Sequence, residues 1–551
     1  MQKVKLIIAV LCLVFILPQA HTQTQNDEER NPIIKTDTSI FGLSEQLDIS
    51  AGFDVGFSDV FWQNLGVRMD YTAGPFTLTG EISFLNDQKY APAAAMVPAG
   101  DVGGFYFMLV EGGLSYRQGP LQFDAGRYRN YDQINSPYSL FINSDGISSN
   151  TFRFRWETNN FIYHTQWIQL NWNSGVSSPA WNEYQRRRQN GNQFLTPSPQ
   201  YENDPNNPST DGLLSYGFPD RGMNLKLYGI KLNDMRFGYM EAAVYSQRPF
   251  DLDYFLIPLP VYFIQYFRTT EGRPWATGMN DKTFMGLFWE IEKDEWDAYA
   301  QVLIGDVSLS FLNVFFGYER FSPNPWKAAW TLGGRMQTSI GTFGFHHAGA
   351  LKYTFNPIGT DRSGRYAWDS ANTAYGYTYY PETRYFDGSR TVNLLIQDNM
   401  IGYKHGENNL AFQIDYQNTF NNFLVTSELE FLLAGNNSPA NPWHDYDARA
   451  SMYDDGRKGS QIFGDGQIEK RIELRINVSR QFGPIGVYAA LAVGGRFNML
   501  ELVPPDEDTH FHYEPTQERT VDNDIWIWKA SGNHEPIFRI SIGFRYLFPI
   551  L

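Results

Sequence analysis

Five arginines toward the end of the chain have types and spacings that suit a shared task. Arg471 and Arg475 sit in KRIELRINVSRQF, and Arg539 and Arg545 sit in IFRISIGFRYLF. Each pair is separated by an even number of residues, so its members share one face of an extended strand. Arg496 closes the stretch that lies between them. A guanidinium is a planar fork of donors that matches a carboxylate or phosphate. A row of them on the wet side of a wall would set the local field or hold an anionic group. The alternative is that they pair with Glu473 and with acidic loop residues folded inward, the commoner fate of a buried arginine.

A second chemistry is written into residues 355–391. Tyr366, Trp368, Tyr375, Tyr377 and Arg384 combine aromatic faces with an arginine fork, a set that suits sugars and anionic polymers. This is a candidate surface ligand loop, with a self-packed loop or part of an aromatic girdle as the alternative. DEDTHFHYE, residues 506–514, has metal-ligand types, but short acidic loops are commonly only solvated, and no metal is expected. His346 and His347 are adjacent, so on a strand they point to opposite faces and make no joint site. There is no nucleophile elbow, no HExxH and no recognisable Ser/His/carboxylate trio. The reading is a non-enzymatic protein with no cofactor.

Strands must position these residues, because helical periodicity is nearly absent. Phe76, Leu78, Ile82 and Phe84 interleave with Thr77, Thr79, Glu81 and Ser83, and the alternation recurs at 410–417 and 471–479. The runs approach ten residues, the length of a tilted membrane strand. Three turns share a pattern: Gly74-Pro75, Gly119-Pro120 and Gly483-Pro484. Other connections are long and polar: 86–103, 129–150, 173–221, 247–281, 355–391, 434–467 and 497–535. Short turns at one end and long loops at the other are the asymmetry of an outer-membrane barrel.

Strand starts are predicted near 46, 60, 76, 104, 121, 151, 160, 222, 235, 282, 295, 308, 326, 342, 392, 409, 423, 468, 484 and 537. The prediction is all-β: a single antiparallel transmembrane β-barrel of roughly 18–20 strands with long extracellular loops. Closed in sequence order, it makes 468–480, 484–496 and 537–548 neighbours, with the five arginines on the lumen face. Gly486, Tyr488, Ala490, Ala492 and Gly494 then lie between them. The run LDYFLIPLPVYFIQYF, residues 252–267, is too apolar for an exposed loop. It would fold into the lumen, rest on the outer leaflet, or form a further strand.

Met1–Ala20 has the basic start, short apolar core and small-residue end of a signal peptide. Residues 21–45 read as a polar N-terminal leader and 46–551 as the barrel. The single cysteine, Cys12, falls in the signal segment, so the mature chain is expected to hold no disulfide. Aromatics make up 16% of the chain, which girdles of Tyr and Trp at two lipid–water interfaces would explain. A net charge of -16 argues against nucleic acid as a partner. The expected partners are outer-membrane lipid, a lipopolysaccharide-like surface and the barrel-assembly machinery.

Over its whole mature length the chain resembles bacterial outer-membrane β-barrels. Its last strand resembles their assembly signal, here with Phe548 followed by Pro549, Ile550 and Leu551. GRYRNYDQINSPYSLFINSDGISSNTFRFRW and LEFLLAGNNSPANPWHDY also resemble the Wzi-like capsule-assembly barrels. That resemblance implies surface binding of an acidic polysaccharide, and it carries over no binding residue. The expected function is a porin-like channel for small polar solutes in the bacterial outer membrane. The alternative is a Wzi-like barrel that binds a cell-surface polysaccharide.

Overall fold

The computed structural model describes residues 45–58, 61–86, 99–102, 105–171, 221–246, 248–269, 281–306, 327–352, 354–355, 377–379, 400–435, 462, 468–503 and 527–548. The signal segment and nearly all of the leader lie outside them. The strands are β1 (Glu45–Phe57), β2 (Phe61–Ala73), β3 (Phe76–Leu85), β4 (Ala99–Val102), β5 (Phe105–Gln118), β6 (Leu121–Tyr128) and β7 (Ser149–Glu157). They continue as β8 (Phe161–Asn171), β9 (Arg221–Leu232), β10 (Met235–Ser246), β11 (Lys282–Glu292), β12 (Trp296–Asp306), β13 (Lys327–Thr338) and β14 (Gly341–Ala350). The last are β15 (Asn409–Phe420), β16 (Phe423–Gly435), β17 (Ile468–Phe482), β18 (Ile485–Phe497), β19 (Leu500–Val503), β20 (Ile527–Ala530) and β21 (His534–Phe548). Two short helices, α1 (Leu252–Leu256) and α2 (Val261–Thr269), lie between β10 and β11.

Eighteen strands form a closed antiparallel barrel. Each pairs with its neighbours in the ring, β4 adds a short pairing along β5, and the β19–β20 hairpin forms a separate two-stranded sheet. Closure comes from the chain's end: β21 runs between β18 and β1, with Ile49 opposite Phe548 and Phe57 opposite Ile540. Closure satisfies every strand edge, the condition for a sheet that meets lipid. The strands expected near 308 and 392 lie outside the described residues, and the ring closes without them. β12 pairs directly with β13, and β14 with β15. Their removal settles the count at eighteen and puts Ala350 and Asn409 at the end opposite the Gly-Pro turns.

The three Gly-Pro turns each have a positive φ at glycine, 57° at Gly74 and 56° at Gly119 and Gly483. Glycine reaches that conformation without strain. Asn233, Asn421 and Asn422 serve further turns at this end in the same way.

The outward face carries the apolar residues of the alternation. Leu78, Ile82, Leu109, Leu287, Leu332, Phe345, Ile414, Ile472, Phe538, Ile540 and Ile542 are all exposed. An apolar belt of this kind around a closed sheet belongs in hydrocarbon. His346 and His347 divide as expected. His346 faces inward to Asp415 and Tyr299, and His347 faces outward against Phe412. Residues 252–267 form neither a strand nor a lumen constriction. They are the two helices, and they pack on the outside of the wall.

The lumen has a core of its own. Residues 129–148 fold back inside the barrel, and Tyr138, Leu140, Phe141 and Ile142 are fully buried there against Leu225, Met240, Phe284 and Leu303 of the wall. Gly286 makes this possible, because a Cβ at that position would stand 2.9 Å from the Phe141 ring. Residues 377–379 and 400–408 join the plug. The Tyr403 amide donates to Leu140 O at 3.2 Å and the Asn143 amide to Ile401 O at 2.6 Å.

Candidate functional site: the charged lumen wall

Strands β17, β18 and β21 bring the predicted arginines onto one inward surface. Arg475 stands opposite Ala492 of β18, and Ala492 opposite Arg539 of β21. Glu473 stands opposite Gly494. The small residues of β18 leave room for long side chains from both sides. They converge on Glu473, whose side chain is fully buried. Arg475 Nε donates to its Oε1 at 2.6 Å, and Arg471 Nε to its Oε2 at 3.1 Å. Arg539 donates to the same carboxylate. Arg475 also reaches Glu428 at 3.5 Å.

Three guanidiniums therefore share one buried carboxylate, with a second carboxylate at the edge. Glu430, opposite Glu473 on β16, also acts on Arg475, and water reaches the cluster, since the Arg539 side chain is 47% exposed and Arg475 35%. Arg496 belongs to a separate group with Glu469 at 2.9 Å and Glu535 at 3.3 Å. Arg545 lies further along β21, where it donates to Ser50 Oγ of β1 at 2.9 Å.

Sequence reasoning missed a second charged group. Arg68 of β2 lies among Asp70 at 2.7 Å, Glu81 of β3 at 2.9 Å and Glu111 of β5 at 2.8 Å. Here three carboxylates share one guanidinium, the reverse of the β17–β21 cluster. Asp54 and Asn64, linked at 3.1 Å, lie on the wall between the two groups. The alternation of β2 and β3 placed Arg68, Asp70 and Glu81 on one face, but only barrel closure brings that face round to the arginines.

The plug is tied to the remaining wall by hydrogen bonds that no local motif announces. Gln166 of β8 donates to Asn130 at 2.6 Å, and Arg236 of β10 to Gln133 O at 2.6 Å. Asn135 N donates to Glu290 of β11 at 3.0 Å, and Ser136 meets Thr331 of β13 at 3.2 Å. Tyr138 OH donates to Glu430 of β16 at 2.9 Å. His405 also bonds Glu430, at 2.8 Å, and burial holds its imidazole below its usual range against the pull of that carboxylate. Asp132 is the plug's organiser. It accepts from Gln301 of β12 at 3.0 Å and from the backbone amides of Ile134 at 3.1 Å and Phe141 at 3.3 Å. Burial nonetheless pushes its carboxyl up to about 6.

The aromatic segment has a different setting from the one its composition suggests. Tyr377 is buried, stacks on Phe355 and donates to Phe141 O at 2.5 Å, so it serves the plug and is not displayed at the surface. Composition could not separate a displayed tyrosine from an inward one. Tyr366, Trp368, Tyr375 and Arg384 lie outside the described residues, as does DEDTHFHYE.

A closed sheet of eighteen strands, an apolar outer belt, tight turns at one end and long loops at the other define a bacterial outer-membrane β-barrel. No family model matches the chain, and no curated protein matches it. Among solved structures it is similar to Wzi of Escherichia coli, described as an outer-membrane protein involved in group 1 capsule assembly and a carbohydrate-binding β-barrel. That match has 8% identity and a TM-score of 0.45, and it covers 92% of this chain and 84% of that one. OccAB2 of Acinetobacter baumannii matches at 10% identity with a TM-score of 0.41, covering 92% and 98%. The outer membrane protein OprD of Pseudomonas aeruginosa matches at 9% and 0.38, covering 92% and 94%.

Proposed function

We propose that this barrel is a channel for small polar solutes, with its passage confined to the side of the lumen bounded by β17, β18, β21, β1, β2, β3 and β5. One observation carries the reading. Arg475 and Arg539 face the lumen and are still reached by water, while the side facing the plug is packed dry. A path between an arginine-rich and a carboxylate-rich patch exerts a field across itself and orders dipolar solutes. The guanidinium forks of Arg475 and Arg539 that water reaches favour solutes that carry a carboxylate. Conductance of the refolded protein in a planar bilayer tests this directly.

A second reading has its own support. The plug makes hydrogen bonds to strands from β8 to β16, more anchorage than a simple narrowing requires. A barrel plugged in this way suits a scaffold that displays loops to an acidic polysaccharide. Under that reading the refolded protein binds an anionic polysaccharide and passes no current.

A further inference from the structure

Register places Asn224 and Lys226 of β9, Glu241 of β10 and Thr165 of β8 on the outside of the barrel. Lys226 stands opposite Glu241 on one side and Thr165 on the other, in line with the outward Tyr228 and Ile230. A lysine, a carboxylate, an amide and a hydroxyl are the wrong chemistry for a wall that meets hydrocarbon. Yet all four are buried. The strands beneath are continuously paired from β8 to β11, so nothing passes between them. What hides the strip is the segment holding α1 and α2.

The inner side of this flap is built for the strip. Lys226 Nζ donates to Ile257 O at 2.5 Å and Leu259 O at 2.7 Å, capping the link between the helices. Glu241 accepts the Val261 amide at 2.5 Å, and Thr165 donates to Phe255 O at 3.2 Å. Tyr254, Phe255, Val261 and Ile264 pack on Trp167, Ala243 and Tyr245. Arg248 ties the two ends of the loop by ion pairs of 2.7 Å to both Asp251 and Asp281.

The outer side is apolar as well. Val261 and Ile264 point in, while Tyr262, Phe263, Tyr266 and Phe267 point out and are exposed. Leu252, Leu256 and Leu259 continue the same surface, whose one exposed carboxylate among the described residues, Asp253, is paired with Arg268 at 2.6 Å. A helix between protein and water has a polar outer stripe, and α2 has none. The surface also runs on from the lipid-facing belt, since Phe152 stacks on Trp167 and meets Phe250 and Phe255 of the flap.

We propose that the α1–α2 flap lies in the outer leaflet as a built-on section of the barrel's lipid-facing surface, with lipid acyl chains as the occupant of its outer face. Its inner face satisfies the polar strip and its outer face presents hydrocarbon to hydrocarbon.

The test uses single cysteines in a Cys12→Ala background, since Cys12 is the chain's only cysteine. Phe263→Cys and Phe267→Cys are labelled with bimane, alongside Asp294→Cys in a turn at the opposite end. Heat-modifiable mobility confirms that each is folded. In phosphatidylcholine vesicles, dibrominated acyl chains should quench both flap labels while iodide leaves them bright, and the turn label should show the reverse. Quenching of the flap labels by iodide but not by bromine overturns the proposal by placing the flap in water. Protection from both quenchers, with cross-linking between copies at these positions, overturns it in favour of a second copy of the chain.

Discussion

At the scale of single residues, Glu473 is the side chain on which the arginine cluster depends. It is buried with three guanidiniums on its two oxygens. Glu473→Gln leaves those charges facing one another, and breaking a buried ion pair in this way costs about 3 kcal/mol. The variant barrel should lose its heat-modifiable mobility at a lower temperature than wild type. An unchanged transition would mean that the arginines are held by something other than this carboxylate. Asp132 has a signature in pH. Burial raises its carboxyl from 3.8 to about 6, so the folded chain holds the extra proton between those values. Its contribution to stability is complete below pH 3.8 and is lost as pH rises through 6. Two units correspond to about 3 kcal/mol at most. The stability difference between Asp132→Asn and wild type should therefore shift in the variant's favour from pH 4 to pH 7, read by denaturant unfolding at each pH. A constant difference would show that Asp132 keeps its ordinary acidity in the fold.

At the scale of the element, alternation settles which residues meet lipid. Ile476 of β17 belongs to the outward set and Asn477 to the inward one, where it reaches Thr426 at 3.5 Å. Ile476→Arg should cost about 2–4 kcal/mol near mid-membrane, and Asn477→Arg far less, measured by urea unfolding in vesicles. The opposite order would invert the wall and move every lumen residue outside. This level was largely legible in the sequence, because a period of two survives wherever one face meets lipid and the other does not. Most strand starts fall within two residues of their expected places. The reading failed where the period did not report the medium. Residues 252–267 are apolar throughout because α2 packs one stripe on the wall and leaves the other bare, so a continuous run was compatible with strand, plug or cover. On β9 and β10, Lys226 and Glu241 break the outward pattern because a separate segment covers them.

At the scale of the whole molecule, the barrel is a wall lined with two charge clusters on one arc and packed on the other side by its own loop. The closure of β21 on β1 was legible in an ending that alternates almost to the last residue. It brought Arg471, Arg475 and Arg539 together as their parity required. The plug was not legible, since Asp132, Gln301, Glu430 and His405 meet from distant parts of the chain and only the closed ring makes them neighbours. In the proposed channel the unplugged side conducts and the arginine cluster sets its selectivity. The measurement is the reversal potential in a KCl gradient for wild type and for Arg475→Glu with Arg539→Glu, at low salt and at 1 M. Wild type should conduct with anion preference, and the double variant should shift toward cations. That shift should shrink at 1 M, where the screening length falls to about 3 Å. A pore with the same reversal potential in both proteins would rule out the arginine cluster as the selector, and no current in either would rule out the channel.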